Sequence, residues 1–111
     1  MMLNIETLKD EIIERLKPLD PDKVILFGSY AYGTPTEDSD IDLYVVTKDD
    51  YMPQTMKEKM DVVRKVSVAI DDICKKYPTD LITHTKAMHN KFIALDSMFS
   101  RKILRDGISL I

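Results

Sequence analysis

Gly28-Ser29 and Asp40-Ile41-Asp42, separated by ten residues, are the part of this 111-residue chain best suited to chemistry. A glycine without a side chain lets a phosphate approach the backbone, and Ser29 adds a hydroxyl donor. Gly28 and Ser29 are therefore the candidates for holding a nucleoside triphosphate. Carboxylates at i and i+2 of a strand project the same way, so Asp40 and Asp42 can share a hard cation such as Mg²⁺. A third acid, Asp80, lies downstream and opens a later strand. Phosphoryl or nucleotidyl transfer needs this combination. Two such ions ~3.5–4 Å apart stabilise both the attacking and the leaving oxygen of an in-line displacement. Three acids crowded together without a cation repel and raise one another's pKa.

Other motifs fit less well. A Walker A loop needs lysine after its second glycine, and Thr34 follows Gly33. No dinucleotide-binding glycine fingerprint is present. Asp38, Asp40 and Asp42 imitate the start of an EF-hand loop, but Leu43 and Asp49 occupy the positions that need Gly and Glu. Asp80 also suits a turn cap after Pro78. His84 and His89 lack metal-ligand spacing and read as ordinary polar residues. Arg101, Lys102 and Arg105 suit either a phosphate, a partner or a helix C-terminus.

These residues need elements to position them. Ile5, Leu8, Ile12 and Leu16 recur at helical spacing until Pro18 and Pro21 end the segment. Val24–Phe27 reads as a buried strand, Ser29–Gly33 as a short helical turn and Thr34–Ser39 as a loop. In Ile41–Val46, Asp40, Asp42 and Tyr44 fall on one face and Ile41, Leu43 and Val45 on the other. A long helix is expected over 54–77, with Met56, Met60, Val63, Ile70, Cys74 and Tyr77 inward. Leu81–Thr85 is a third strand. A last helix over 87–104 carries Met88, Phe92, Leu95, Phe99 and Ile103 before Gly107, and Ile108–Ile111 suits an edge strand.

The fold class is therefore α/β or α+β: one domain over 1–111, with a small mixed sheet of three to four strands and helices packed on one face. The short link between the first two strands favours antiparallel pairing, and the helical link to the third favours a parallel crossover. Connectivity alone then gathers Gly28, Asp40, Asp42 and Asp80 at one sheet edge.

Composition narrows the class. Hydrophobic residues at 44% and charged residues at 32% suit a soluble globular domain. No apolar run approaches the ~20 residues that span a bilayer. A single cysteine, Cys74, excludes an internal disulfide and fits a reducing cytoplasm. The net charge of −3, with Lys and Arg scattered among acids, argues against nucleic acid bound through a basic face.

The block GSYAYGTPTEDSDIDL, with Asp80 beyond it, resembles the pattern of the DNA polymerase beta-like nucleotidyltransferase superfamily, and element order resembles its minimal nucleotidyltransferase (MNT) domain. The resemblance implies that Gly28 and Ser29 bind the triphosphate. It implies that Asp40 and Asp42 bind two Mg²⁺ ions and that Asp80 joins at the catalytic one. It implies transfer of a nucleoside monophosphate, AMP from ATP, to a hydroxyl. Minimal members often pair with a helical HEPN-type protein as antitoxin of a toxin–antitoxin pair, and some AMPylate a tyrosine of that partner. A surface near the last helix, including Ile93 and Met98, is the expected interface. Two alternatives stay open: neutralising a partner by contact without catalysis, and transfer to a small aminoglycoside-like acceptor, for which a homodimer would complete the pocket.

Overall fold

The computed structural model describes residues 4–33, 35–36 and 38–111. Met1–Leu3, and the Thr34 and Glu37 positions of the expected loop, lie outside the described residues. The elements run α1 (Ile5–Leu16), a 3-10 turn (Lys17–Leu19), β1 (Lys23–Phe27), α2 (Ser29–Tyr32), β2 (Ile41–Val46), α3 (Met56–Ala69), α4 (Asp71–Lys76), β3 (Thr79–His84), α5 (Lys86–Leu95), α6 (Met98–Asp106) and β4 (Ile108–Ser109).

The sheet order is β3-β2-β1-β4. β1 pairs antiparallel with β2 and β4, and β2 pairs parallel with β3. The connectivity argument for antiparallel and parallel pairing therefore holds. Four helices have side-chain caps where their sequences supply them. Asn4 Oδ1 accepts from the Glu6 and Thr7 amides, and Thr55, Thr85 and Ser97 accept from the amides of Glu58, Met88 and Ser100. Each cap satisfies donors that a helix N-terminus leaves unpaired.

Two apolar layers sandwich the sheet. On one side Leu8, Ile12 and Leu16 of α1, Val66 of α3, Ile70 and Ile73 of α4 close over Val24, Leu26, Ile41, Leu43 and Val45. The opposite face carries Ile25, Phe27, Tyr44 and Val46 beneath Phe92 and Ile103. The sheet is thus covered on both faces, where one covered face was expected. The extra layer arises because Tyr44 and Val46 make the second face of β2 apolar beyond Asp42, and α5 and α6 bury it.

The two long helices are each broken. Ile70, at φ −107° and ψ 18°, separates α3 from α4 with neither Gly nor Pro to signal it. Asp96 adopts left-handed backbone at φ 48°, and Ser97 caps a new helix. Met56 and Met60 face solvent, 71% and 51% exposed, while Val62 and Val66 fill the core. Leu95, at 70%, likewise leaves the expected stripe. Gly107 ends α6 in extended backbone, where a Cβ would meet Ile103 O and Ile25 Cγ2. Cys74 is a half-buried residue of α4 packed against the first layer.

Candidate active site

β2 enters the sheet at Ile41, whose amide donates to Pro78 O at 2.9 Å. That bond starts the parallel register in which Asp42 lies beside Asp80. On its other side Asp42 is the antiparallel partner of Phe27, the residue before Gly28. Neighbouring strands lie ~4.8 Å apart, so Asp42 sits one strand spacing from both elements. Asp40, one residue before β2, is near enough for its charge to act on Asp42. The sheet edge therefore brings Gly28, Asp40, Asp42 and Asp80 together, on the side covered by α5 and α6.

Gly28 is there for two reasons. Its φ of +75° is a conformation that L side chains resist, and a Cβ built on it would overlap the Asp42 carboxylate, 2.9 Å from Cγ. The backbone and the carboxylate consequently touch. Gly28 O accepts from the amides of Ala31 and Tyr32, both at 3.0 Å. The Ser29 and Tyr30 amides open α2 and have no intrahelical acceptor, as in any first turn.

The electrostatics single out Asp42. It is half-buried, whereas Asp40 and Asp80 are exposed. Burial raises its carboxyl above the usual carboxylate range, and the charges of Asp80 and then Asp40 raise it further. Among the described residues, however, no three His, Cys, Asp or Glu side chains close into a metal cage. The carboxylates share an edge and feel one another's charge, without converging on one point.

The histidines depart from the sequence reading. Expected as ordinary polar residues on separate elements, they meet at one phenol: Tyr44 Oη lies 3.0 Å from His84 Nδ1 and 2.6 Å from His89 Nδ1. Phe92 stacks on Tyr44 with ring centroids 5.3 Å apart. A phenol has one proton, so it donates to one imidazole and accepts from the other; the two rings differ in tautomer. His89 Nε2 is buried with no partner. An unfilled acceptor costs less than an orphan donor, which favours His89 Nδ1–H donating to Tyr44 and Tyr44 donating to His84. Burial lowers both histidine pKa values and raises that of Tyr44. The signal was the i, i+2 step from Asp42 to Tyr44 on one face, with Val46 next. Pairing of Tyr44 with β3 supplies the rest.

The chain is similar to known proteins in sequence and in fold. A stretch of 46 residues is 48% identical to "Putative protein adenylyltransferase MJ0141" of Methanocaldococcus jannaschii, covering 41% of this chain and 43% of that protein. The chain spans less than half the length of the curated relatives it matches. The fold is that of a chain in the crystal structure of a toxin–antitoxin with AMP-PNP. The TM-score is 0.57 at 22% identity over 93% of this chain and 72% of that one. It also matches a chain in the structure of a tri-AMPylated Shewanella oneidensis HEPN toxin in complex with MNT antitoxin. There the TM-score is 0.52 at 19% identity, over 97% of this chain and 72% of that chain. The model of one family spans residues 5–104, which takes in every element from α1 to most of α6 and all four residues at the sheet edge. This chain belongs to the nucleotidyltransferase domain family.

Proposed function

We propose that this domain, acting as one unit over 1–111, transfers AMP from ATP to a hydroxyl on a protein, with a tyrosine of a HEPN-type partner as acceptor. The observation that carries the proposal is the register of β2. It sets Asp42 beside Asp80 on one side and against the Gly28 turn on the other. A protein adenylyltransferase name among the sequence relatives, and AMP-PNP and an AMPylated HEPN toxin among the fold neighbours, support the nucleotide and acceptor.

Asp40, Asp42 and Asp80 would hold Mg²⁺. The donor set fits: all are hard oxygen ligands, and their mutual repulsion at Asp42 is what a divalent cation relieves. When bound, the ions neutralise phosphate charge and lower the pKa of an acceptor hydroxyl. The chain's own residues do the remainder. Gly28 lets the phosphates approach its backbone, and the Ser29 hydroxyl and first-turn amides donate to phosphate oxygens. Asp80 takes the acceptor's proton. The acceptor oxygen attacks the α-phosphorus, the bond to the β-phosphate bridge breaks, and pyrophosphate leaves. Positioning and charge neutralisation supply the rate. We place this activity in the reducing cytoplasm, consistent with the lone Cys74; among the described residues no helix is long and apolar enough to cross a membrane.

Incubation with α-labelled ATP, Mg²⁺ and host lysate tests the proposal. A labelled protein band is expected, and it vanishes with EDTA and with Asp42→Ala. Label that persists in Asp42→Ala removes the assignment of the site. A partner neutralised equally by wild type and an Asp40/Asp42 double alanine variant shows that contact alone suffices.

A further inference from the structure

Helix α6 carries three cations, Arg101, Lys102 and Arg105. Two are engaged. Arg101 makes a bidentate pair with Asp96, Nε to Oδ1 at 2.8 Å and Nη2 to Oδ2 at 2.7 Å. Arg105 Nε lies 3.1 Å from Asp106 Oδ1. Lys102 forms no such pair among the described residues; its ammonium instead stands over the Tyr32 ring, 5.1 Å from the centroid. Tyr32 closes the short helix that starts after Gly28. Gly28, Tyr32 and Lys102 border one cavity of about 220 Å³, walled by Phe27, Phe99 and Ile103.

Gly28 is therefore shared between two surroundings. It touches the Asp42 carboxylate, and it borders the cavity that Lys102 overhangs. Asp42 does not line that cavity. The order along this edge is carboxylates, glycine turn, lysine. We propose that Lys102 grips the terminal phosphates of the nucleoside triphosphate and that Tyr32 holds its ammonium in position. The inference rests on the nucleotidyltransferase reading above and extends it to the polyphosphate tail.

The physical case is one of charge and sequence of contacts. The reacting α-phosphorus belongs at the carboxylates, so the β- and γ-phosphates must lead away from them. The glycine turn is the next station and the lysine the one after it. The tail is strongly anionic, and the carboxylate end of the site repels it. A cation at the far end offsets that repulsion. Apolar walls reduce screening around the ammonium, and the Tyr32 ring attracts it while limiting its freedom. A nucleobase on the same aromatic walls is the competing occupant, and it makes a different prediction.

Equilibrium titration with ATP, AMP and inorganic tripolyphosphate in Mg²⁺ separates the cases. In Lys102→Ala, affinity for ATP and tripolyphosphate is expected to fall about tenfold, the size of one lost charge-assisted contact, with AMP unchanged. Lys102→Arg recovers most of the loss, and Tyr32→Leu reproduces part of it. A thermal unfolding midpoint equal to wild type verifies that Lys102→Ala remains folded. Unchanged ATP affinity in Lys102→Ala overturns the assignment while leaving the nucleotidyltransferase reading intact. An equal loss for AMP and ATP overturns it in favour of the base or α-phosphate. Wild type that binds no nucleotide in Mg²⁺ overturns both.

Discussion

Asp42 shows what the site costs its own fold. Its carboxyl is held above the ordinary value of 3.8 by burial and by Asp80 and Asp40. The native state therefore binds its proton more tightly than the unfolded chain does. The stability this lends is present at acid pH and is lost as pH rises through the folded pKa. At pH 7 an ionised, metal-free Asp42 opposes folding. Asp42→Asn keeps the shape and removes the charge. In EDTA at pH 7 it is expected to melt above wild type, while transfer falls by about 10²–10³ or more, as for loss of a group that stabilises reacting charge. Added Mg²⁺ should raise the wild-type midpoint and leave the variant's unchanged. A variant that melts below wild type in EDTA would remove the repulsion argument. At this scale the sequence was highly legible. Residue type and spacing predict that Gly28, Asp40, Asp42 and Asp80 share one sheet edge, and the strand register agrees, since a strand's two-residue period and a short antiparallel link leave little freedom. The Tyr44, His84 and His89 cluster was not found, because it joins residues 40 and 45 positions apart through strand pairing and a following helix.

Elements were legible where periodicity had one solution. β2 runs over Ile41–Val46 as its alternation required, and α1 buries the stripe Leu8, Ile12 and Leu16. The segment from Met56 offered two apolar stripes at helical spacing. Only the sheet's position chooses between them, and it chose Val62 and Val66 over the methionines. The break at Asp96-Ser97 was written locally but outweighed by the long stripe from Met88 to Ile103. Asp tolerates left-handed backbone, and Ser is a strong cap. Here Ser97 Oγ accepts from the Ser100 amide at 3.1 Å, and Arg101 clamps Asp96. The break positions α6, and with it Ile103 over the second layer and Lys102 beside Tyr32. Ser97→Ala should therefore cost about 1 kcal/mol by urea denaturation. It should also weaken ATP binding, although Ser97 borders neither Asp42 nor Gly28. A stability loss with wild-type ATP affinity would separate the helix start from the site.

At the scale of the molecule the sheet divides two kinds of layer. The layer under α1, α3 and α4 is built of aliphatic side chains, with Thr83, the parallel partner of Val45, as a buried hydroxyl on the same face. The layer under α5 and α6 contains Tyr44, next to His84 and His89, and leads to the carboxylate edge. Burial lowers both histidines from the ordinary 6.5; His89 also lowers His84, and Lys23 lowers His89 more than Asp22 raises it. The unfolded chain then binds protons that the native layer refuses. Stability is complete above about pH 6.5, and it declines as pH falls below that value toward the folded pKa values. Asp42 acts with the opposite sign, in a window that opens at the ordinary carboxylate value of 3.8. The two effects can be separated by placing both measurements in Asp42→Asn, where only the histidines remain. Urea midpoints taken from pH 8 to pH 5 should fall in that background, and the slope should shrink when His89→Gln is added. The polar layer thus carries both the carboxylate edge and the acid sensitivity, while the aliphatic layer supplies support insensitive to pH. A flat profile in Asp42→Asn would show that the buried imidazoles accept protons without strain on the fold.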